Sequence, residues 1–367
     1  MGGGMAYGTK HTVKGIILTA FLAICCCATP AAAEDWAEIT ADLPPEVTAY
    51  MDEGAEGYGW QKGIRALGEQ AVALLAEEMA GGVRGTASLL LIVIATSVAE
   101  GAMTAAGDGK VPNYVPMAAV LAVTGAAVGG LHSLAASCGE TLERLHVLSE
   151  LLLPAIGAAL TAAGGVASAS MRQVATVFLS QVLIGLMQTL LPLVYCLIGA
   201  SAADVMLPDH HFKAIASAIR KVVTWALTAC VVLYTGYLTV GGAVAGSADR
   251  LAMQAARSVI SAAVPVVGGI ISDASGVVLA GAETIKNAMG VAGLLAVLGI
   301  CMGPFLTLLV QFVLFKAVSF LAGVLGGAVA AYLDAIGSAY ALLLGMVGTG
   351  ALVLIISLST SLRLVMA

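Results

Sequence analysis

Several long stretches of this chain contain no charged residue, among them 174–203, 222–248 and 335–362. About 20 apolar residues are enough for an α-helix to cross the hydrocarbon core of a bilayer. Long continuous apolar runs indicate membrane helices, because barrel strands are short and alternate between apolar and polar side chains. We therefore predict an all-α, polytopic helical membrane protein.

The composition agrees with this class and excludes several others. Of the 367 residues, 60% are hydrophobic and 10% are charged, and the mean hydropathy is +0.99. Soluble domains carry about 25% charged residues, so this chain has too little polar surface to cover a soluble globule. The net charge is −6 and no region is strongly basic, which argues against nucleic acid as a partner.

The chain divides into three predicted parts. Residues 1–33 resemble a signal peptide, with Lys10 and Lys14 before an apolar segment and a run of three alanines before Glu34. The alternative is an uncleaved first helix. Residues 34–82 are predicted to form an acidic extracytoplasmic segment, and 83–367 a multi-pass membrane domain.

Within the acidic segment, apolar residues recur at helical spacing from Trp60 onward. We expect a helix there that ends at the glycine pair Gly81-Gly82.

About eight spans are predicted in the membrane domain, with a very short connector at Arg172 between two of them. Two further segments, 210–223 and 249–263, combine an apolar stripe with a basic one and are predicted to be helices lying in the membrane surface. The candidate spans are 86–106, 115–136, 151–171, 174–200, 222–246, 288–315, 317–334 and 341–360.

Glycine pairs four residues apart recur in the apolar spans, and such pairs let membrane helices approach closely. They predict a tightly packed bundle, within or between subunits. The pairs are Gly125/Gly129, Gly242/Gly246, Gly299/Gly303 and Gly323/Gly327.

The best candidate site is the stretch 264–290, which is apolar but broken and charged. Its uncharged run is short for a full crossing, which favours a re-entrant or broken helix. One long span over 259–282 is the alternative. Charges at membrane depth mark pathways, although an ordinary ion pair at the interface and a helix cap at Asp273 are also possible. The candidate pathway or joint residues are Pro265, Gly268, Gly269, Asp273, Glu283 and Lys286.

Other polar residues give weaker signals. The pair His210-His211 has no third ligand nearby, so no metal site is predicted. His132 is expected to be a hydrogen-bonded residue of the bundle. The charges from Glu140 to Glu150 are expected in a solvated connector. No nucleotide-binding, hydrolase or metalloprotease motif occurs, so we expect neither an enzyme nor a cofactor.

Four segments of the chain resemble the stage III sporulation protein AE family of endospore-forming bacteria. The most specific is VPVVGGIISDASGVVLAG, from Val264, with the following ETIKNAMGVAGLLAVLG. DLPPEV, from Asp42, and HSLAASCGETLERLHVLSELLLPAIGAALTAAGG, 132–165, are also similar. The resemblance runs from about residue 36 to the C-terminus.

The resemblance implies a role but no catalytic residues. It implies a membrane component of the secretion-like channel complex between mother cell and forespore, needed for sporulation after engulfment. The implied location is the mother-cell membrane around the forespore. The implied partners are the lipid bilayer, ring-forming and ATPase products of the same operon, and a forespore-side protein, with a homo-oligomer possible. The alternative is a stand-alone secondary transporter for a small solute.

Overall fold

The computed structural model describes residues 59–105, 114–162, 165–207, 212–263, 268–325 and 329–363. All regular structure in these ranges is helical, which confirms the predicted all-α class. The predicted signal peptide, 1–33, and the first half of the acidic segment lie outside the described residues.

Seven α-helices and one π-helical turn make up this described part. The π-helical turn comes directly before the fourth helix, whose first turn contains Pro192. Because proline has no backbone N–H, it cannot donate the usual helical hydrogen bond to the carbonyl four residues earlier. The elements are α1 (Gly59–Ala105), α2 (Tyr114–Ala162), α3 (Val166–Gly185), the π-turn Leu186–Leu190, α4 (Leu191–Met206), α5 (Phe212–Ala263), α6 (Gly268–Val324) and α7 (Ala330–Arg363).

The chain runs up and down through the bundle, which therefore has two ends. End A holds the C-terminal ends of α1, α4 and α6 and the N-terminal ends of α2, α5 and α7; end B is the opposite one. At end B, Gly293 of α6 packs against Leu152 of α2 and Leu358 of α7. Leu67 of α1 clusters with Leu295 of α6, so α1 starts at the end where α7 finishes.

Among the described residues, five helices are long and apolar enough to cross a membrane, or six if the bent α2 counts as one span. The two parts of α2 meet at 44°, at the glycine pair Gly129-Gly130. The predicted count of about eight spans is not confirmed. Candidates 151–171 and 317–334 each extend across the end of one helix and the start of the next.

Two predicted boundaries are wrong. The helix that starts near Trp60 continues through Gly81-Gly82 to Ala105, because Gly82 packs directly against Leu314 of α6. Arg172 is not a connector but lies inside α3, where it is buried and its Nη1 donates to Ser357 O at 3.3 Å. The antiparallel neighbours at this point are α2 and α3, which meet near Gly165 and not at Arg172.

The two predicted interfacial segments are not separate helices. From Phe212 onward, 210–223 is the beginning of α5, and 249–263 is the end of the same helix. At end B, Asp249 accepts hydrogen bonds from Ala167 N at 2.8 Å and Ser168 N at 2.9 Å. This carboxylate therefore caps the first turn of α3 and joins it to α5.

Helix α7 forms the centre of the bundle, where it packs against α2, α3, α4, α5 and α6. Its Tyr332 and Tyr340 are almost fully buried, and the Tyr332 hydroxyl forms a 2.8 Å hydrogen bond with that of Thr124 on α2. Buried polar groups are stable when such a partner is present.

The closest glycine contacts are not those of the predicted GxxxG pairs. In those pairs, a Cβ at Gly125, Gly129, Gly242, Gly303 or Gly323 would meet nothing within 4 Å. A Cβ at Gly241 would lie 2.8 Å from Met171 Cε, and one at Gly350 would lie 2.9 Å from Leu142 Cδ2. Tight packing within the chain therefore depends on other glycines.

An ionic cluster joins three helices near end A. Lys316 of α6 donates from Nζ to the carboxylate of Asp334 on α7 and, at 3.1 Å, to Ser338 Oγ. Arg220 of α5 brings Nη2 within 3.8 Å of Asp334 Oδ2. The cluster fixes the α6–α7 hairpin against α5.

Replacing Lys316 with methionine is expected to lower the stability of the protein by about 1–2 kcal/mol, because Asp334 loses its nearest cation. The pair is partly exposed, at 34% and 43%, which limits the effect. Thermal unfolding in detergent measures it. A double-mutant cycle combines Lys316→Met with Asp334→Asn. If the two losses of stability simply add in the double variant, the two side chains are not coupled.

Candidate functional site

The residues predicted as a pathway or joint lie at the start of α6. Pro265 is outside the described residues, whereas Gly268 and Gly269 begin the helix and Asp273, Glu283 and Lys286 follow on it. The described part of the chain includes the backbone of these five but not their side chains. The described helices end at Ala263 and restart at Gly268. A re-entrant or broken helix here stays a prediction.

Asp273→Leu is expected to leave the protein in the membrane but to impair sporulation, since a carboxylate at membrane depth persists where it meets water or a polar group. Gly269→Leu is expected to impair it by blocking close backbone approach. Asp273→Asn, which stays polar, is the matched control. The stretch would be an ordinary lipid-facing span if both leucine variants sporulated normally and single cysteines introduced throughout 266–276 did not react with a thiol reagent.

A second charged surface lies on α2, where the sequence predicts a solvated connector. The connector prediction is wrong, because these residues form one face of a continuous helix. Leu131, Leu142 and Leu145 lie on the buried face of the helix at helical spacing. The α2 polar face, defined as the exposed charged residues on the opposite side, consists of Glu140, Glu143, Arg144 and Glu150.

The α2 polar face lies at mid-height of the bundle. Cys138 of α2 contacts Leu343 O, and Gly350 packs against Leu142. Residues 343–350 are at the middle of the candidate span Ala330–Thr360. Gly139 faces Leu191, near the middle of the span Val166–Met206. Glu140, Glu143 and Arg144 are therefore level with the middle of the candidate spans, whereas Glu150, two residues from Leu152, lies toward end B.

The outer face of α5 shows what a lipid-facing surface of this protein is like. Its threonine hydroxyls donate to carbonyls four residues back, as at Thr224, Thr228 and Thr239, so they need no water. On α2, by contrast, Val147 is the only large apolar side chain exposed between Gly129 and Glu150. The exposed large apolar residues of α5 are Ile215, Val222, Trp225, Val232, Leu233, Tyr237, Val240, Val244 and Leu251.

Several groups of this region are paired with one another. Arg144 Nη2 lies 2.9 Å from Glu140 Oε1, and His146 Nε2 lies 3.5 Å from Glu150 Oε1. The Tyr195 hydroxyl on α4 is 3.3 Å from His132 Nδ1, which confirms His132 as a hydrogen-bonded bundle residue. Three carboxylates and one guanidinium leave the α2 polar face acidic.

Helix α1 adds charges at the same height. Thr307 of α6, close to the middle of the span Gly293–Val324, donates to Glu78 Oε1 at 3.0 Å. Glu77 and Arg84, on the same part of α1, are exposed. Because α1 packs beside α2, two neighbouring helices carry ionisable groups at membrane depth.

These residues carry no recognisable catalytic or metal-binding arrangement. In the described ranges no three His, Cys, Asp or Glu side chains come together as metal ligands. His210 and His211 lie outside those ranges. What the surface offers is exposed charge at mid-height of the bundle.

Comparison with known proteins identifies the family. A sequence model described as "Stage III sporulation protein AE" matches residues 46–363. The chain belongs to this family. Membership confirms the resemblance found in the sequence and implies a role in sporulation.

One curated member of the stage III sporulation protein AE family, from Bacillus subtilis (strain 168), is 24% identical over 189 residues. The match covers 51% of this chain and 47% of that relative, so the chain spans about half the length of the curated relative it matches. No solved structure matches the chain.

Proposed function

We propose that the protein is a membrane component of the mother cell–forespore channel complex and that its α2 polar face borders the water-filled path. Family membership supports the sporulation role. The observation that carries the pathway is the exposed α2 polar face at mid-height of the bundle.

The physical argument rests on the cost of charge in lipid. An ionised side chain at the centre of a membrane helix costs about 2.5–3.5 kcal/mol on insertion scales. Glu140 and Glu143 would each pay this cost if lipid covered them, with only Arg144 beside them to offset it. Water in a conduit, or polar groups of a neighbouring subunit, removes the cost.

In this proposal the protein resides in the mother-cell membrane around the forespore. Its partners are the ring-forming and ATPase products of the same operon and a forespore-side protein, and the proposal includes neither an enzymatic reaction nor a cofactor. The acidic α2 polar face favours the passage of cations over anions.

The stand-alone transporter, the alternative considered from the sequence, gains no support from the family assignment. A transporter for a small solute needs a binding site near mid-height. The cavity of about 1220 Å³ described below lies near end A instead.

Deletion of the gene in its spore-forming host, with complementation by a tagged copy, tests the proposal. We expect the deletion strain to arrest after engulfment and the tagged protein to be recovered with its operon partners. Efficient sporulation without the gene would refute the role. Solute uptake by the purified protein alone in liposomes would favour the transporter instead.

A further inference from the structure

A wide cavity of about 1220 Å³ opens near end A between α2, α4, α5, α6 and α7. Its lining contains three cationic side chains of α5: Lys213, Arg220 and Lys221. Ser201 and Ser319 add hydroxyl groups.

Cations outnumber anions around this cavity within the described ranges. Asp334 is already shared between Lys316 and Arg220, and Asp204 Oδ1 accepts a hydrogen bond from Lys213 N at 2.8 Å. Lys213 and Lys221 form no ion pair with described residues, and the buried Arg220 Nε has no hydrogen-bond partner among them. Two exposed ammonium groups, those of Lys213 and Lys221, and the unpartnered Nε of Arg220 therefore belong to residues that line the cavity.

The cavity lies at the depth of lipid headgroups. Asp334 in its wall is about 16 Å along α7 from Gly345, at 1.5 Å per residue. Gly345 is at the middle of the span Ala330–Thr360, and the hydrocarbon core extends about 15 Å to either side of its centre. Basic pockets between membrane helices at this depth suit phosphate-bearing headgroups.

We propose that this cavity binds a phosphate group, held by Lys213, Arg220 and Lys221. An ammonium or guanidinium donor can form charge-assisted hydrogen bonds with phosphate oxygens. An anionic phospholipid headgroup and free inorganic phosphate share this chemistry. The site is independent of the proposed channel role, because it lies away from the α2 polar face.

Quenching of Trp225 by brominated lipid tests the lipid source. Trp225 is exposed on α5, one turn beyond Lys221, and replacing Trp36 and Trp60 with phenylalanine leaves it as the only tryptophan. The full chain is placed in phosphatidylcholine vesicles that contain brominated phosphatidylglycerol or brominated phosphatidylcholine. We expect quenching to show that the protein binds phosphatidylglycerol in preference to phosphatidylcholine by about fivefold or more. One cation near an anionic surface supplies a factor of this size.

Lys213→Gln/Lys221→Gln is expected to remove the preference, and Arg65→Gln/Arg250→Gln, which neutralises two exposed cations elsewhere, is expected to keep it. A second arm adds inorganic phosphate to the protein in phosphatidylcholine nanodiscs and measures the unfolding temperature. If phosphate raises that temperature and the lysine variant abolishes the rise, free phosphate is the ligand.

Each outcome decides the proposal. A phosphatidylglycerol preference that depends on the two lysines identifies a headgroup, and a lysine-dependent phosphate effect identifies free phosphate. The proposal is overturned if neither occurs, or if the control variant behaves like the lysine variant. Lys221→Gln alone, at an exposed position, gives the same readout if the double variant does not fold. None of these measurements depends on sporulation.

Discussion

Replacing Glu140 and Glu143 together with leucine is expected to leave the protein in the membrane and to abolish its function in sporulation. If lipid covered the α2 polar face, the change would instead stabilise the inserted protein, because each ionised residue at the helix centre costs about 2.5–3.5 kcal/mol. Spore counts and membrane fractionation of the complemented deletion strain provide the two measurements.

The matched control changes polar residues to leucine on the outer face of α5, next to Leu227, which packs against Gly345 at mid-height. Thr224 and Thr228 are exposed and satisfied by their own helix, so the double leucine variant is expected to sporulate normally. Equal loss in both variants would show a general intolerance to leucine. Normal sporulation of the glutamate variant would assign the α2 polar face to lipid.

Single cysteines in a cysteine-free background report on the same surface. At Ala136, Glu143 and Val147 of α2 they are expected to react with a membrane-impermeant thiol reagent in assembled cells. At Val232 and Val240 of α5 they are expected to be unreactive. Reaction on α2 only after the complex is dissociated would indicate a subunit contact there rather than water.

The class of the fold follows from the sequence, but the number of spans does not. Hydropathy averages over a window, so it cannot show that one apolar helix ends at Ala162 and another starts at Val166, or that α6 ends at Val324 and α7 starts at Ala330. It equally fails to show that Gly81-Gly82 continues a helix, because the stabilising contact, with Leu314, is more than 200 residues away in the chain.

The α2 polar face was missed for a related reason. The number of charged residues between 140 and 150, which is four, suggests a connector. The spacing of the apolar residues Leu131, Cys138, Leu142 and Leu145, however, already indicates a helix with one buried face. Its depth could not be predicted, since that depends on contacts with Leu343 and Leu191 on distant helices. The Lys316–Asp334 pair likewise joins two helices across a turn that hydropathy does not reveal.

Gly350→Leu is expected to destabilise the bundle strongly. Gly350 lies on the central helix α7, and a Cβ there would be 2.9 Å from Leu142 Cδ2, 3.1 Å from Leu183 Cδ2 and 3.3 Å from Leu145 Cδ1. All three leucines are fully buried, so they have no free space to move into. Adding methylenes to a filled core costs about 1–3 kcal/mol, and a whole leucine side chain at the α2–α3–α7 contact belongs at the upper end.

Gly236→Leu on α5 is the matched control, because a Cβ there would meet nothing within 4 Å. Both changes gain about 0.8–1.0 kcal/mol of helix propensity, so the difference between them measures the packing term. Thermal unfolding in detergent should give a lower midpoint for Gly350→Leu and an unchanged or higher one for Gly236→Leu. Equal midpoints would mean that α7 does not pack against Leu142 and Leu183, and the mid-height position of the α2 polar face, which relies on that contact, would lose its main support.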